Sequence, residues 1–336
     1  MCIELEHPHP SVIGGFLHDG TLVTSCTEWS RDPGAESLTF QWGAGTFDQL
    51  CDAIEGRLIP AATPDTSRFI CSQAQNCLSL HESGSEIPVY EARLRTAPTR
   101  VNWHSSGKLF VACGSAIRIV HINTDRVVDL FKAKPNCRIL PSPNGRRLAI
   151  AAGLTVQIID TTSGEPVCAP LKHKRPVTSG FWINNRSIVH SSEDCVFRKW
   201  DVTSERPGRP LFNVPGFVTC LEVAKTSPCV LVGTQNQKKL SPFGGEIRLY
   251  DYKRGVAVTE PLTHSHAVIA TCLHPSERYA AFGSVDKTAA IWDLSDSTKI
   301  GEFEAPGSVY GVQFSPNGEY LFAHGHRFSF IYKFAA

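Results

Sequence analysis

The sequence predicts an all-β protein built from eight consecutive units of about 40 residues each. The first observation is a column of bulky residues, each near the end of a short strand-like run: Trp42, His81, Val120, Ile159, Trp200, Tyr250, Trp292 and Tyr332. Successive members lie 39, 39, 39, 41, 50, 42 and 40 residues apart. A turn recurs upstream of these runs, and no segment shows convincing helical periodicity.

The closing run of each unit follows one pattern of alternating apolar residues, an aromatic or aliphatic residue and an acidic residue. It is clearest in TAAIWDLSDS (288–297), VFRKWDVTSE (196–205), EIRLYDYKRG (246–255) and TVQIIDTTSG (155–164). The upstream turns include HDG (18–20) and SPNG (142–145 and 315–318). Asn, Gly and Pro are typical turn residues, so each unit is predicted to hold several short strands.

Units of this length with SPNG turns and Trp-Asp endings resemble the WD-repeat family. The resemblance covers nearly the whole chain; it is strongest in the units ending at Trp200, Tyr250 and Trp292 and weakest in the first three. It implies a β-propeller of four-stranded blades. Eight third-strand copies favour eight blades in a single domain spanning residues 1–336. Seven blades, the alternative, would need about 48 residues each.

The resemblance also implies a hydrogen-bond relay that stabilises a blade. It joins a His before the first strand, a hydroxyl on the second strand, an Asp in the next turn and the Trp of the third strand. Two sets match by spacing: His173, Asp194 and Trp200, and His264, Asp286 and Trp292. Ser191 or Ser192 is the candidate hydroxyl of the first set, whereas Phe282 stands at that position in the second. These residues are therefore expected to be structural.

The last copy, residues 327–336, reads as a third strand with one edge unpaired, which would invite aggregation. In the family the N-terminus supplies the missing fourth strand. Residues 2–7 alternate Ile3 and Leu5 with glutamates, as expected for a half-buried outer strand. Pro8 ends this strand because proline has no N–H to donate. We predict that residues 2–7 pair with the C-terminal strand and close the ring.

We call one end of the ring the top face, and two kinds of connection lie there. These are the turns between second and third strands and the links from each fourth strand to the next blade. At the closing blade these connections contain four histidines: His7, His9, His324 and His326. Neutral imidazoles at such density can bind zinc or copper or sense pH. The alternative is that they are loop histidines pointing in different directions.

Two second-to-third-strand turns carry extra length, at 27–37 and 235–245. Each combines an aromatic residue with basic residues of the kinds enriched at protein interfaces. The candidate partner-binding residues are Trp29, Arg31, Lys238, Lys239 and Phe243. The alternative is a solvated loop whose aromatic side chain folds back onto its own blade.

Bulk composition excludes several classes of protein. A net charge of +1, with scattered Lys and Arg, does not predict a nucleic-acid binder. No apolar run is long enough to cross a membrane, and the first ten residues do not read as a secretory signal. The 12 Cys include no C-x-x-C pair, which favours buried thiols in a reducing compartment.

No nucleophile elbow, H-E-x-x-H, phosphate-binding glycine loop or paired-carboxylate motif is present, so no catalytic residue and no cofactor is predicted. The leading hypothesis is a non-enzymatic scaffold or adaptor. It would bind a protein or peptide partner on its top face within a multi-subunit assembly, as a monomeric ring in the cytoplasm or the nucleus. The alternative is an enzyme or a small-ligand or metal-binding propeller that uses the channel mouth or the histidines. A third hypothesis, that the chain is part of a larger signalling protein, rests on the Pro-Leu-x-His phrases at 170–173 and 261–264.

Overall fold

The computed structural model describes residues 2–9, 11–27, 37–55, 57–59, 67–73, 76–104, 106–135, 137–204, 208–236 and 244–334. In these residues eight small antiparallel sheets form a ring, an eight-bladed β-propeller. The prediction of eight blades rather than seven is confirmed. No helix in the described residues is long and apolar enough to span a membrane.

The strands follow the chain in blade order. β1 (Cys2–Glu4) precedes blade 1, which contains β2 (Ser11–Phe16), β3 (Leu22–Thr27), β4 (Ser37–Trp42) and β5 (Ile54–Glu55). Blade 2 contains β6 (Arg57–Ile59), β7 (Arg68–Gln73), β8 (Cys77–Glu82) and β9 (Pro88–Arg93). Blade 3 contains β10 (Pro98–His104), β11 (Lys108–Cys113), β12 (Ala116–His121) and β13 (Arg126–Lys132), with a 3₁₀ turn at Ile122–Thr124. Blade 4 contains β14 (Arg138–Pro141), β15 (Arg147–Ala152), β16 (Thr155–Asp160) and β17 (Leu171–Lys172).

The second half of the ring repeats this order. Blade 5 contains β18 (Val177–Trp182), β19 (Ser187–Ser192), β20 (Val196–Asp201) and β21 (Arg209–Asn213). Blade 6 contains β22 (Gly216–Val223), β23 (Cys229–Asn236), β24 (Gly245–Asp251), β25 (Val256–Ala257) and β26 (Leu262–His264). Blade 7 contains β27 (Val268–Leu273), β28 (Tyr279–Ser284), β29 (Thr288–Asp293) and β30 (Thr298–Glu304). Blade 8 contains β31 (Val309–Phe314), β32 (Tyr320–Gly325) and β33 (Phe328–Lys333).

In blades 1 to 7 the strands pair in chain order from the ring centre outward, whereas blade 8 takes β1 as its outermost strand, next to β33. In blade 6 the outer position is divided, because β25 and β26 both pair with β24. All eight members of the predicted column lie on third strands, from Trp42 on β4 to Tyr332 on β33. The period of the column therefore reports the period of the blades, including the weak repeats at the start of the chain.

The core of the protein lies between neighbouring blades. Each main cluster of buried side chains joins two adjacent sheets, as when Leu249 of blade 6 and Phe282 of blade 7 share one cluster. The largest fully buried side chains include Phe110, Phe197 and Phe322. A four-stranded sheet cannot bury both of its faces alone, so each blade depends on its two neighbours.

The ring closes through the N-terminal strand. β1 pairs antiparallel with β33, with Ile3 opposite Ile331, and the Leu5 N–H donates to the Ser329 carbonyl at 3.1 Å. The predicted pairing of the N-terminus with the C-terminal strand is confirmed, with Leu5 buried and the glutamates exposed. The ladder covers Cys2–Glu4 with one further hydrogen bond from Leu5, so it is shorter than the predicted residues 2–7, and the chain bends at Pro8 and His9.

Side chains join the inner strands of successive blades. Glu222 Oε2 accepts from the Leu273 N–H at 2.8 Å, Cys272 Sγ from the Phe314 N–H at 3.3 Å and Gln313 Oε1 from the Phe16 N–H at 2.8 Å. The three acceptors occupy equivalent positions near the ends of the inner strands of blades 6, 7 and 8. Each lies two residues before the residue that opens the turn between the first and second strands. One device therefore connects blades 6 to 7, 7 to 8 and 8 to 1, where inner strands diverge too far to form a ladder.

Replacing Leu5 by Ala should weaken the closure. Leu5 is 6% exposed and packs against Phe16 and Ile331. Truncation of a buried leucine costs about 2–5 kcal/mol. Urea denaturation should show a loss in that range, whereas Glu6→Ala, on the exposed side of the same segment, should change stability by about 0.5 kcal/mol or less. Equal stability of Leu5→Ala and the parent protein would contradict the closure.

Replacing Glu222 by Gln should remove the loss of folding stability that occurs when this buried carboxyl ionises. Burial raises the pKa of Glu222 from 4.5 to about 7, so the folded protein binds more protons than the unfolded chain between these values. Stability from this group therefore falls as pH rises through that window. Glu222→Gln, which supplies the acceptor used by Gln313, should gain about 1–3 kcal/mol at pH 8 and little at pH 4.5. The exposed change Glu304→Gln is the control; a pH-independent effect of Glu222→Gln would contradict the assignment.

Candidate functional site

The seam between blades 8 and 1 is held by His7. Its Nε2 atom is hydrogen-bonded to Ser329 Oγ of β33 at 3.1 Å, while its ring packs edge-on against Phe40 and Trp42 of β4. Burial lowers the pKa of His7 to about 4. A neutral imidazole thus links the last strand of the ring to the first blade.

The prediction that His324 lies in the turn between the second and third strands of blade 8, on the top face, is wrong. His324 is on β32, is buried, and donates from Nδ1 to the Val12 carbonyl at 3.0 Å. Burial lowers the pKa of His324 to about 4, and the nearby His7 contributes to that shift. Its position on the second strand, opposite Gly311, reflects the strand register and not the turn.

A cavity of about 310 Å³ opens beside this seam. Leu5, His7, Pro8, His9, Val12, Arg327 and Phe328 line it. The structure thus brings His7 and His9 to one cavity, while His324 and His326 are not part of its lining. The guanidinium of Arg327 is unfavourable to a metal cation, and the described residues contain no group of three or more side chains that could hold one. This arrangement gives no support to the metal hypothesis, which stays a prediction.

The two predicted relays are incomplete within the described residues. In blade 7, His264 Nδ1 lies 3.6 Å from Asp286 Oδ2, but Trp292 Nε1 has no hydrogen-bond partner. In blade 5, Ser192 Oγ donates to Asp194 Oδ1 at 2.6 Å. His173 packs against Trp200 at 5.7 Å between ring centroids, and neither ring forms a hydrogen bond in the described residues.

The missing contacts have a local cause. Phe282 and His190 occupy the second-strand position that carries the hydroxyl in a complete relay, and their rings pack edge-on against His264 and His173. At the equivalent position of blade 1, Thr24 Oγ1 accepts from Trp42 Nε1 at 2.8 Å. The hydroxyl–indole contact therefore occurs in a repeat whose sequence match is weak, and spacing alone did not reveal it.

The five candidate partner-binding residues, Trp29, Arg31, Lys238, Lys239 and Phe243, lie outside the described residues. The described residues that flank them are paired: Thr27 with Ser37 in blade 1 and Gln235 with Gly245 in blade 6. Both segments thus connect second to third strands, as predicted. The partner-binding role of these five residues stays a prediction.

Sequence reasoning missed a set of exposed side chains at the channel mouth, where the inner strands begin. Two aromatic side chains among the described residues are exposed, Tyr310 at 56% and Phe217 at 37%. Arg100 of β10 and Arg138 of β14 are also exposed. The Asn102 side chain donates to the Ile139 carbonyl at 2.9 Å and so holds these two inner strands together.

Arg100 and Arg138 are close enough to affect each other. The Arg138 side chain remains accessible to solvent, but partial desolvation lowers its pKa, and the positive charge of Arg100 lowers it further. No carboxylate opposes this effect in the described residues. A register shift marks the start of inner strands in blades 3, 5, 6, 7 and 8, and Tyr310 is the residue bypassed in blade 8. Such a bulge re-aims side chains, a feature that single-sequence patterns do not show.

Buried thiols are not candidate nucleophiles. Burial raises the pKa of Cys71 to about 12 and that of Cys220 to about 11, so both remain protonated at neutral pH. Cys272 is also held above its ordinary pKa by burial, and it accepts the Phe314 N–H. These cysteines therefore act as small core residues, as the sequence predicts.

The seam should weaken in acid. The pKa values of His7 and His324 are lower when folded than the ordinary 6.5, so the unfolded chain binds more protons between pH 6.5 and 4. Stability from each histidine is lost as pH falls through that window, by up to about 1.4 kcal/mol per pH unit. His7→Gln/His324→Gln should flatten the pH dependence of urea denaturation. His18→Gln, an exposed change in blade 1, should not; an unchanged slope in the double variant would contradict the prediction.

Comparisons with known proteins agree with this geometry. The family model for the WD domain, G-beta repeat, matches residues 258–293. The chain is 23% identical over 314 residues to the APC/C activator protein CDH1 of Saccharomyces cerevisiae, covering 87% of this chain and 52% of that protein. It is 22% identical over 307 residues to human NACHT domain- and WD repeat-containing protein 1, covering 88% of this chain and 19% of that protein. The chain thus spans about half or less of the length of these relatives.

A solved structure shows the same fold. Chaetomium thermophilum Sqt1, bound to the N-terminus of the ribosomal protein L10, superposes with a TM-score of 0.72 at 13% identity. The superposition covers 97% of this chain and 98% of Sqt1. The chain therefore contains one repeat that matches the WD-domain model, and its eight blades give it the fold of the WD-repeat proteins to which it is similar.

Proposed function

We propose that this ring is a non-enzymatic scaffold that binds a protein or peptide partner on its top face. The observation that carries the proposal is the set of exposed side chains at the channel mouth: Tyr310, Phe217, Arg100 and Arg138. Tyr and Arg are enriched among the residues that dominate binding energy at interfaces. Loops and strand ends that a rigid scaffold holds in place commonly carry binding residues.

Their placement around the ring suits a ligand laid across the channel. In a ring of eight blades, blade 4 lies opposite blade 8, so Arg138 and Tyr310 face each other across the mouth. An extended peptide that spans the mouth would contact an aromatic ring at one end and a guanidinium at the other. Because Arg138 and Arg100 lie side by side, the end of the peptide near blades 3 and 4 should carry an acidic group.

The relatives support this proposal in outline. Sqt1 was solved with a peptide-like segment of another protein, the N-terminus of L10, and CDH1 is named as an activator of the APC/C. The alternative, an enzyme or small-ligand propeller, has no described residue whose contacts favour it.

The proposal is tested by affinity purification of the tagged full chain from its native cells. Partners should be recovered with the parent protein and lost about 30-fold with Tyr310→Ala/Arg138→Gln, since hot-spot residues contribute about 2 kcal/mol or more. The control is Val258→Ala/Arg254→Gln, two exposed residues on the outer part of blade 6. Equal recovery with the Tyr310 variant and the control would exclude the channel mouth.

A second variant distinguishes partner binding at the channel mouth from partner binding at the two extended turns. Trp29→Ala/Phe243→Ala alters only residues of the two extended second-to-third-strand turns. If the partner contacts these turns as the sequence predicts, recovery should fall with this variant as well. Full recovery would remove the turns from the interface and leave the channel mouth as the binding surface.

A further inference from the structure

A groove lies on the face opposite the top face, between the third-to-fourth-strand turns of blades 1 and 2. Its volume is about 650 Å³. Residues 49–52 of blade 1 form one wall, and residues 84–87 of blade 2 form the other. The sequence patterns single out neither segment, and the candidate top-face residues do not contribute to it.

The two walls are fixed to each other by one buried amide. Gln41, on β4, is 0% exposed. Its Oε1 accepts from the Gly84 N–H at 2.7 Å, and its Nε2 donates to the Ser85 carbonyl at 2.9 Å and to Cys51 Sγ at 3.2 Å. A third-strand glutamine thus connects a turn of its own blade to the turn of the next. Binding in such a preformed groove costs little conformational entropy.

Both walls expose aliphatic side chains. Ile87 is 71% exposed and Leu50 is 44% exposed. Ile87 has the largest exposed fraction of the large hydrophobic residues that the structure describes. An aliphatic pair on a fixed groove offers a contact surface to an apolar or long-stemmed side chain.

Two carboxylates, Asp52 and Glu86, line the groove, and no lining residue is Lys, Arg or His. Residues 43–55 and 82–92 contain Asp48, Asp52, Glu55, Glu82, Glu86 and Glu91, and no Lys, Arg or His. Within the described chain, Arg68 pairs with Glu82, which is not a lining residue. Asp52 and Glu86 lie on opposite walls, and both act on Cys51: burial raises the pKa of its thiol, and the two carboxylates raise it further. The negative charge of both walls therefore converges on the groove.

We propose that this groove binds a short extended segment of a partner protein in which Lys or Arg stands next to an aliphatic residue. Asp52 and Glu86 would pair with the cationic groups, while Ile87 and Leu50 would pack against the aliphatic residue and the methylene stems. Charge complementarity selects this occupant, because an acidic segment would be repelled by both walls. The site is separate from the channel mouth, so the ring would hold two partners on opposite faces.

The test uses fluorescence anisotropy with the full chain and a labelled peptide, Gly-Arg-Leu-Gly-Arg-Leu-Gly. The parent protein should bind it, and binding should weaken as salt is raised. Asp52→Asn/Glu86→Gln and Ile87→Ser should each weaken binding about tenfold. The charge-reversed peptide, with Glu in place of Arg, should not bind, and a Ser-for-Leu peptide should bind more weakly than the parent peptide.

The matched control is Glu304→Gln/Ile300→Ser, an exposed carboxylate and an exposed isoleucine on β30 of blade 7. It should bind like the parent protein, as should Tyr310→Ala/Arg138→Gln on the top face. Circular dichroism melting of each variant distinguishes lost binding from lost fold. Three results would overturn the proposal: no binding of the Arg-Leu peptide by the parent protein, equal loss in the β30 control, or undiminished binding by both groove variants.

Discussion

The pairing of β1 with β33 is the contact on which the rest of the ring depends. Each blade buries its faces against two neighbours, so an open ring would expose one face of blade 1 and one of blade 8 together. It would also leave β33 as an unpaired edge rich in aromatic residues. The closing contact consists of three paired residues of β1 together with Leu5 and His7. This short contact is sufficient to close the ring because the remaining blades hold its two ends in register.

Once the ring is closed, rigidity comes from side chains that cross between blades. Glu222, Cys272 and Gln313 are three chemically different acceptors, and each accepts from the equivalent backbone N–H of the next blade. The position therefore requires a hydrogen-bond acceptor but no particular residue. Glu222 pays for this role with a raised pKa, whereas Gln313 does not titrate. Gln41 performs a related task at the outer turns of blades 1 and 2. Because these contacts fix one blade against the next, exposed residues on both faces keep constant spacing, as a binding scaffold needs.

The relay residues show that a match in sequence spacing does not ensure the hydrogen bonds of the relay. His264 and Asp286 meet as their spacing predicts, but the Trp292 indole does not join them because Phe282 stands where a hydroxyl is required. Thr24 and Trp42 make that contact in a repeat too degenerate for confident matching. His324 was expected in a turn and lies on a strand, since a shift of one or two residues in register moves a side chain from rim to core. The spacing of the motif identifies the blade, whereas the residues at neighbouring positions determine whether the relay hydrogen bonds form.

The number of blades followed from the 40-residue repeat, and the resemblance to the WD-repeat family implied the third strand of each blade and the partner of the C-terminal strand. The turn residues and the alternation of Ile3 and Leu5 with glutamates are local signals that act within a few residues of chain, and their recurrence every 40 residues or so marks the blades. Three features became visible only in the folded ring: the polar side chains that meet across blades, the aromatic residues that reach the channel mouth, and the groove in which Gln41 joins two turns. Those outcomes depend on how neighbouring blades face each other, and residues roughly 40 positions apart carry no local signal of that juxtaposition.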